Sequence, residues 1–178
     1  MFGKGRAGMK RKGTLGLDQL RIFVCVTIAG AILHGLFELW PSILTEFVAP
    51  VNESIWEHVK VVFWPLLVGV AVLYGGRKLA SSLAVLLACS GAMLMFGWLY
   101  HIVLKNPPGF TDVAFYVLLM ALGCVLPAFW EISEAWLPLL LGGIVLLVGL
   151  LVTFTIMPPD FLLFHDASLV DAWMMYPC

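Results

Sequence analysis

Charge is what this sequence has least of. Only 12% of its 178 residues are Asp, Glu, Lys or Arg, about half the share of an ordinary soluble domain. By contrast 62% are hydrophobic, and the mean hydropathy is +1.01. Such a chain cannot cover itself with a water-facing surface, which implies an all-α integral membrane helical bundle. Cysteine is scarce as well. Cys25, Cys89 and Cys124 fall inside apolar runs and Cys178 is the last residue, so there is no CxxC pair, no metal spacing and no disulfide framework. A net charge of -1 argues against a nucleic-acid partner. HExxH, serine-nucleophile motifs, Gly-rich phosphate loops and dinucleotide fingerprints are all missing, which removes the reactions that those motifs support.

The basic residues are unevenly placed. Lys4, Arg6, Lys10, Arg11, Lys12 and Arg21 crowd the N-terminus, and Arg77-Lys78 forms a second positive pair. Positive charge stays on the cytoplasmic side, so residues 1–18 read as a basic cytoplasmic tail. A bilayer core about 30 Å thick takes roughly 20 helical residues, and five such spans are expected at about 20–40, 55–74, 79–104, 110–130 and 137–157. Together they make a five-helix transmembrane domain over 19–157 with the N-terminus inside. Ala29-Gly30-Ala31 imitates a cleavage site, but the apolar run continues to Trp40, so the segment is kept as a span. Residues 158–178 read as an interfacial tail on the outer side.

On that topology the ionisable residues gather at one end. His34, Glu38, Glu53, Glu57, His58, Lys60, His101, Lys105, Asp112, Asp160, His165 and Asp166 all fall toward the outer ends of the spans. Intramembrane ionisable groups mark function by default, and this asymmetry suggests one outward-opening polar cavity. His34 and Glu38 lie four apart on one helix face, and Glu53, Glu57 and Lys60 form a second stripe with spacing four and three. Ser54 with Glu57 reads as a capping box, and Glu57 can also pair locally with Lys60. His58 points elsewhere on its helix. Trp64, His101 and Asp112 complete the set of expected ligand-binding side chains, although tryptophans and Tyr100-His101 also suit the membrane interface.

Two chemistries fit these residue types. A carboxylic acid beside histidine can move a proton near neutral pH without any cofactor. Alternatively, His34, His58, His101 and Asp166, drawn from different helices, could hold zinc and make a hydrolytic centre.

The string Val51-Asn52-Glu53-Ser54-Ile55-Trp56-Glu57-His58-Val59-Lys60, with the later Pro158-Pro159-Asp160-Phe161-Leu162-Leu163-Phe164-His165-Asp166, resembles a domain-of-unknown-function family of small bacterial multi-pass membrane proteins. That resemblance implies a bacterial cytoplasmic membrane. His34-Gly35-Leu36-Phe37-Glu38, Trp56-Glu57 followed by Phe63-Trp64-Pro65, and Phe115-Tyr116 through Val125-Leu126-Pro127 are similar to the emopamil-binding-protein superfamily, which includes a sterol isomerase and the sigma-2 receptor. This second resemblance implies that His34, Glu38 and Glu57 carry isomerase-like proton transfer on a sterol-like ligand. Gly123 and Met120 stand where the isomerase has a tryptophan and an asparagine that hold its substrate cation, so the cavity and that particular reaction are separable.

The sequence therefore leads to a His/Glu-lined cavity that binds a lipid, sterol-like or isoprenoid ligand, with isomerisation as its reaction. A zinc-dependent lipid hydrolase is the alternative. A proton- or ion-coupled transporter or accessory subunit is a third reading, for which a single chain of five spans without an internal repeat would need a homo-oligomer. An inert acidic collar is the blandest.

Overall fold

The computed structural model describes residues 14–165, and every regular element among them is helical. α1 runs Thr14–Leu39, α2 Ile43–Val48, α3 His58–Tyr74, α4 Leu79–Gly97, α5 Phe110–Phe129 and α6 Leu137–Ile156. A π-helical turn, Trp98–Val103, prolongs α4, and single 3-10 turns at Glu134–Trp136 and Leu162–Phe164 flank α6. Four stretches are long and apolar enough to cross a membrane: Gly16–Leu39, Leu79–Val103, Phe110–Phe129 and Glu134–Ile156. Their outward residues, such as Ile28, Val113, Phe129 and Leu146, are exposed and apolar, as expected of helices that face hydrocarbon.

α3 departs from the expected span of about 55–74. It starts at His58 and has 17 residues, about 25 Å of helix. The cause is local. Val59 N–H and Lys60 N–H close i−3 bonds to Trp56 O and Glu57 O, each at 3.1 Å, and Trp56 N–H is held by Leu163 O at 3.1 Å, so Ile55-Trp56-Glu57 is a turn. The capping box forms only by half. Glu57 N–H donates to Ser54 Oγ at 3.3 Å, but Ser54 N–H donates to Asn52 Oδ1 at 3.0 Å, and the Glu57 carboxylate turns away. The stripe of Glu53, Glu57 and Lys60 is therefore not a stripe of one helix: Glu53 precedes α3 and takes its own direction.

α3 is the axis of the bundle. Val59, Val62, Phe63 and Leu66 are fully buried, and α3 packs against α1, α4 and α5 while α6 lies on the α4 side. Apolar helices gain no hydrophobic drive from meeting one another in lipid, so close packing and hydrogen bonds decide their arrangement. Pro65 lies inside α3 and leaves the Val61 carbonyl without its helical donor. Gly30 of α1 meets that carbonyl: a Cβ there would lie 2.7 Å from Val61 O and would collide with the Tyr116 hydroxyl. Tyr116 in turn donates to Thr27 O at 2.7 Å, tying α5 to α1.

At the end of the bundle where α3 finishes, Gly75 and Gly76 turn the chain with positive φ of 51° and 82°, conformations that cost glycine little. Tyr74 Oη donates to Cys124 O at 2.7 Å and Lys78 Nζ to Ala128 O at 2.7 Å. The opposite end gathers the C-termini of α1, α4 and α6 with the N-termini of α3 and α5. It holds nearly all the ionisable side chains singled out above.

Candidate functional site

At that end a cavity of about 240 Å³ is lined by His34, Glu53, His58, His101 and Asp112 among apolar walls that include Ile55, Met93 and Phe96. α1 supplies His34 from its last turns, the bend before α3 supplies Glu53, and α3 begins with His58. The π-helical turn after α4 carries His101, and the first turn of α5 carries Asp112.

The first cluster joins His34, His58 and Glu53. His34 Nε2 lies 3.2 Å from His58 Nε2, and Glu53 Oε2 lies 3.6 Å from the former and 3.4 Å from the latter. His58 Nδ1 is 2.8 Å from Ser54 O. A carbonyl only accepts, so Nδ1 carries the proton, and in the neutral ring Nε2 presents a lone pair to the cluster. Three atoms able to ligate a metal thus converge within 4.8 Å of one another. Lone pairs this close need a proton or a cation between them. Zinc bonds to nitrogen and oxygen of about 2.0–2.1 Å, set tetrahedrally, place the donor atoms about 3.3–3.4 Å apart. The observed triangle of 3.2, 3.4 and 3.6 Å has those dimensions. A ligating imidazole whose other nitrogen donates to a backbone carbonyl is also the usual outer-shell arrangement of metal sites.

The second cluster is a pair. His101 Nδ1 lies 3.0 Å from Asn106 O and Nε2 lies 2.8 Å from Asp112 Oδ1. Asn106 O only accepts, so Nδ1 donates, and the second contact is a hydrogen bond when one proton lies between Nε2 and Asp112 Oδ1. Asp112 Oδ2 accepts a further bond from Gly109 N–H at 2.6 Å, which matches a carboxylate at the positive end of α5. The pair therefore holds one transferable proton in a recess where the two side chains are 16% and 24% exposed.

Compared with known proteins, this chain finds no match. No family model, no curated protein and no solved structure resembles it sufficiently to register. Its functional reading therefore rests on the geometry alone.

The remaining candidates lie elsewhere. Glu57 and Lys60 form a buried ion pair at 2.6 Å. The Lys60 ammonium spends its three protons on Glu57 Oε2, Glu46 O at 2.8 Å and Ala49 O at 3.3 Å. Glu57 also accepts from Val51 N–H at 3.0 Å, and its other oxygen lies 3.1 Å from Thr155 Oγ1 on α6. Held by Lys60 and Val51 N–H, Glu57 does not line the cavity, and neither does Glu38 near the end of α1. The expected trio of His34, Glu38 and Glu57 is thus not gathered. Trp64 donates its Nε1–H to Phe47 O at 3.3 Å and lines a separate apolar groove between α1 and α3. Of the expected zinc set, His34 and His58 meet, His101 faces Asp112 instead, and Asp166 lies outside the described residues.

The sequence reading did not single out Ser54 O and Asn106 O, the carbonyls that orient the two histidines, nor Thr155. Backbone acceptors leave no mark in sequence. Thr155 left a faint one, as one of the few polar residues of the last span.

Proposed function

We propose that this protein is a metal-dependent membrane hydrolase of the zinc class, which cleaves an acyl bond of a membrane-borne amphipathic substrate at the outer face. The observation that carries the reading is the triangle of His34 Nε2, His58 Nε2 and Glu53 Oε2, three ligands of tetrahedral spacing beside a cavity. Three protein ligands with an open fourth position are the pattern of catalytic rather than structural zinc sites. Bound there, such an ion would acidify a water and polarise a carbonyl.

The lining of the cavity favours an uncharged acyl ester or amide over a phosphodiester. Glu53 and Asp112 contribute two carboxylates, and among the described residues no Lys or Arg lines the cavity to receive phosphate. The apolar walls suit the stem of a lipid whose polar link reaches the histidines. The reading includes a topology of five crossings with the N-terminus inside. α3 is the fifth, and its short length is admissible because protein surrounds it. The emopamil-type proton-transfer reading needs Glu57 free, and the engagement of Glu57 with Lys60 counts against that assignment.

Native mass spectrometry of the detergent-purified protein tests the proposal. We expect one zinc per chain, lost in His34→Ala and in Glu53→Gln and retained in His165→Ala, whose histidine pairs with Asp160 at 3.0 Å away from the cavity. Acidification should release the ion, because an imidazole must be unprotonated to ligate. Absence of zinc from the wild type under zinc-replete conditions, or its retention in both cluster variants, would refute the metal centre. A lipid adduct without metal, weakened by His34→Ala, would return the cavity to metal-free proton transfer.

A further inference from the structure

We infer that the His101–Asp112 pair is the proton donor to the leaving group of this reaction, and that the natural substrate has a poor leaving group, an alkyl ester or an amide. The inference rests on the hydrolytic reading and deepens it. With the cluster holding a metal, its only protons would be the ring N–H of each histidine on the side away from the ion, and that of His58 is committed to Ser54 O. His101 and Asp112 line the same cavity, hold a transferable proton between Nε2 and Oδ1 at 2.8 Å, and use the remaining sites of both groups on Asn106 O and Gly109 N–H. A pair oriented at both ends costs little reorganisation when the proton moves. Its position on the π-helical turn Trp98–Val103 is consistent with the enrichment of such turns at functional sites.

The step balances. The oxygen of water bonds to the acyl carbon and releases one proton. The bond from that carbon to the leaving oxygen or nitrogen breaks with its electron pair, and the leaving atom takes the proton held by His101 and Asp112. The pair regains a proton from the one that water released. The products are a carboxylic acid and an alcohol or amine.

A leaving group that is stable as an anion needs no proton, whereas an alkoxide or amide anion does. The test therefore uses two probes with one acyl chain, palmitoyl p-nitrophenyl ester and palmitoyl glycerol, presented to the zinc-loaded full chain in mixed micelles. In His101→Gln and Asp112→Asn we expect cleavage of the glycerol ester to fall by about 100-fold or more, the usual contribution of a positioned acid. Cleavage of the p-nitrophenyl ester should change by less than a few-fold, with zinc stoichiometry intact.

An equal fall for both esters, no fall for the glycerol ester, or loss of zinc in both variants would overturn the role of the pair while leaving the metal centre standing. No zinc-dependent cleavage of either ester by the wild type would instead overturn the hydrolytic reading, and the inference with it.

Discussion

Glu57 and His58 are neighbours in sequence, yet they serve different parts of the molecule. Successive residues entering a helix diverge by about 100°. That divergence, with the turn before α3, sends His58 to the cavity and Glu57 to Lys60 and Thr155. The Glu57–Lys60 pair is buried at both ends, with side chains 2% and 0% exposed. Removing one member leaves an uncompensated charge in apolar surroundings, which costs about 3–5 kcal/mol. Lys60→Met should therefore lower the melting temperature in detergent sharply, whereas the double variant Glu57→Gln with Lys60→Met should recover most of the loss. If the single and double variants melt alike, the pair is not the clamp that joins the start of α3 to α6.

Elements explain why the site sits where it does. α3 is central, and its first residue, His58, lines the cavity beside the turn that Trp56 N–H ties to Leu163 O. The tail after α6 thus reaches back to position the cavity, and Trp56 packs on Phe154 and Phe164 with ring centroids 5.3 and 5.2 Å away. The α1–α3 contact depends on Gly30. Gly30→Ala should destabilise the bundle by about 1–3 kcal/mol, the usual cost of forcing an extra methyl into a packed interface. Gly35→Ala, also in α1 and with nothing within 4 Å of its Cβ position, should not destabilise it, since alanine is the better helix former. Thermal melts of the two variants compare them directly, and equal melting temperatures would contradict the contact.

The whole molecule is polarised. One end carries the cavity and the buried ion pair, and the other carries the Gly75-Gly76-Arg77-Lys78 turn and the Lys78–Ala128 tie. With Cys25 and Cys178 replaced by Ser, a cysteine introduced at Phe161, which is 69% exposed near the cavity end, should react with a membrane-impermeant maleimide in intact cells. One at Glu131, whose side chain is 86% exposed at the other end, should react only after permeabilisation. The reverse pattern would place the cavity at the cytoplasmic face.

What the sequence by itself determined is the class of molecule and a wide set of polar candidates, part of which lines the cavity. Scarce charge, long apolar runs and glycine-proline breaks suffice to specify a helical protein of membrane-spanning character, with the limits of α5, of α6 and of α4 together with its π-helical turn close to those expected, because these features act locally along the chain. His34, Glu53, His58, His101 and Asp112 were visible as candidates because a polar side chain in an apolar run stands out wherever it points. Their grouping was not visible. Whether Glu57 joins His34 or Lys60, and whether His101 meets the other histidines or Asp112, depends on where α3 begins, on a π-helical turn and on two backbone carbonyls. Those are contacts between residues distant in sequence, and tertiary structure alone decided them.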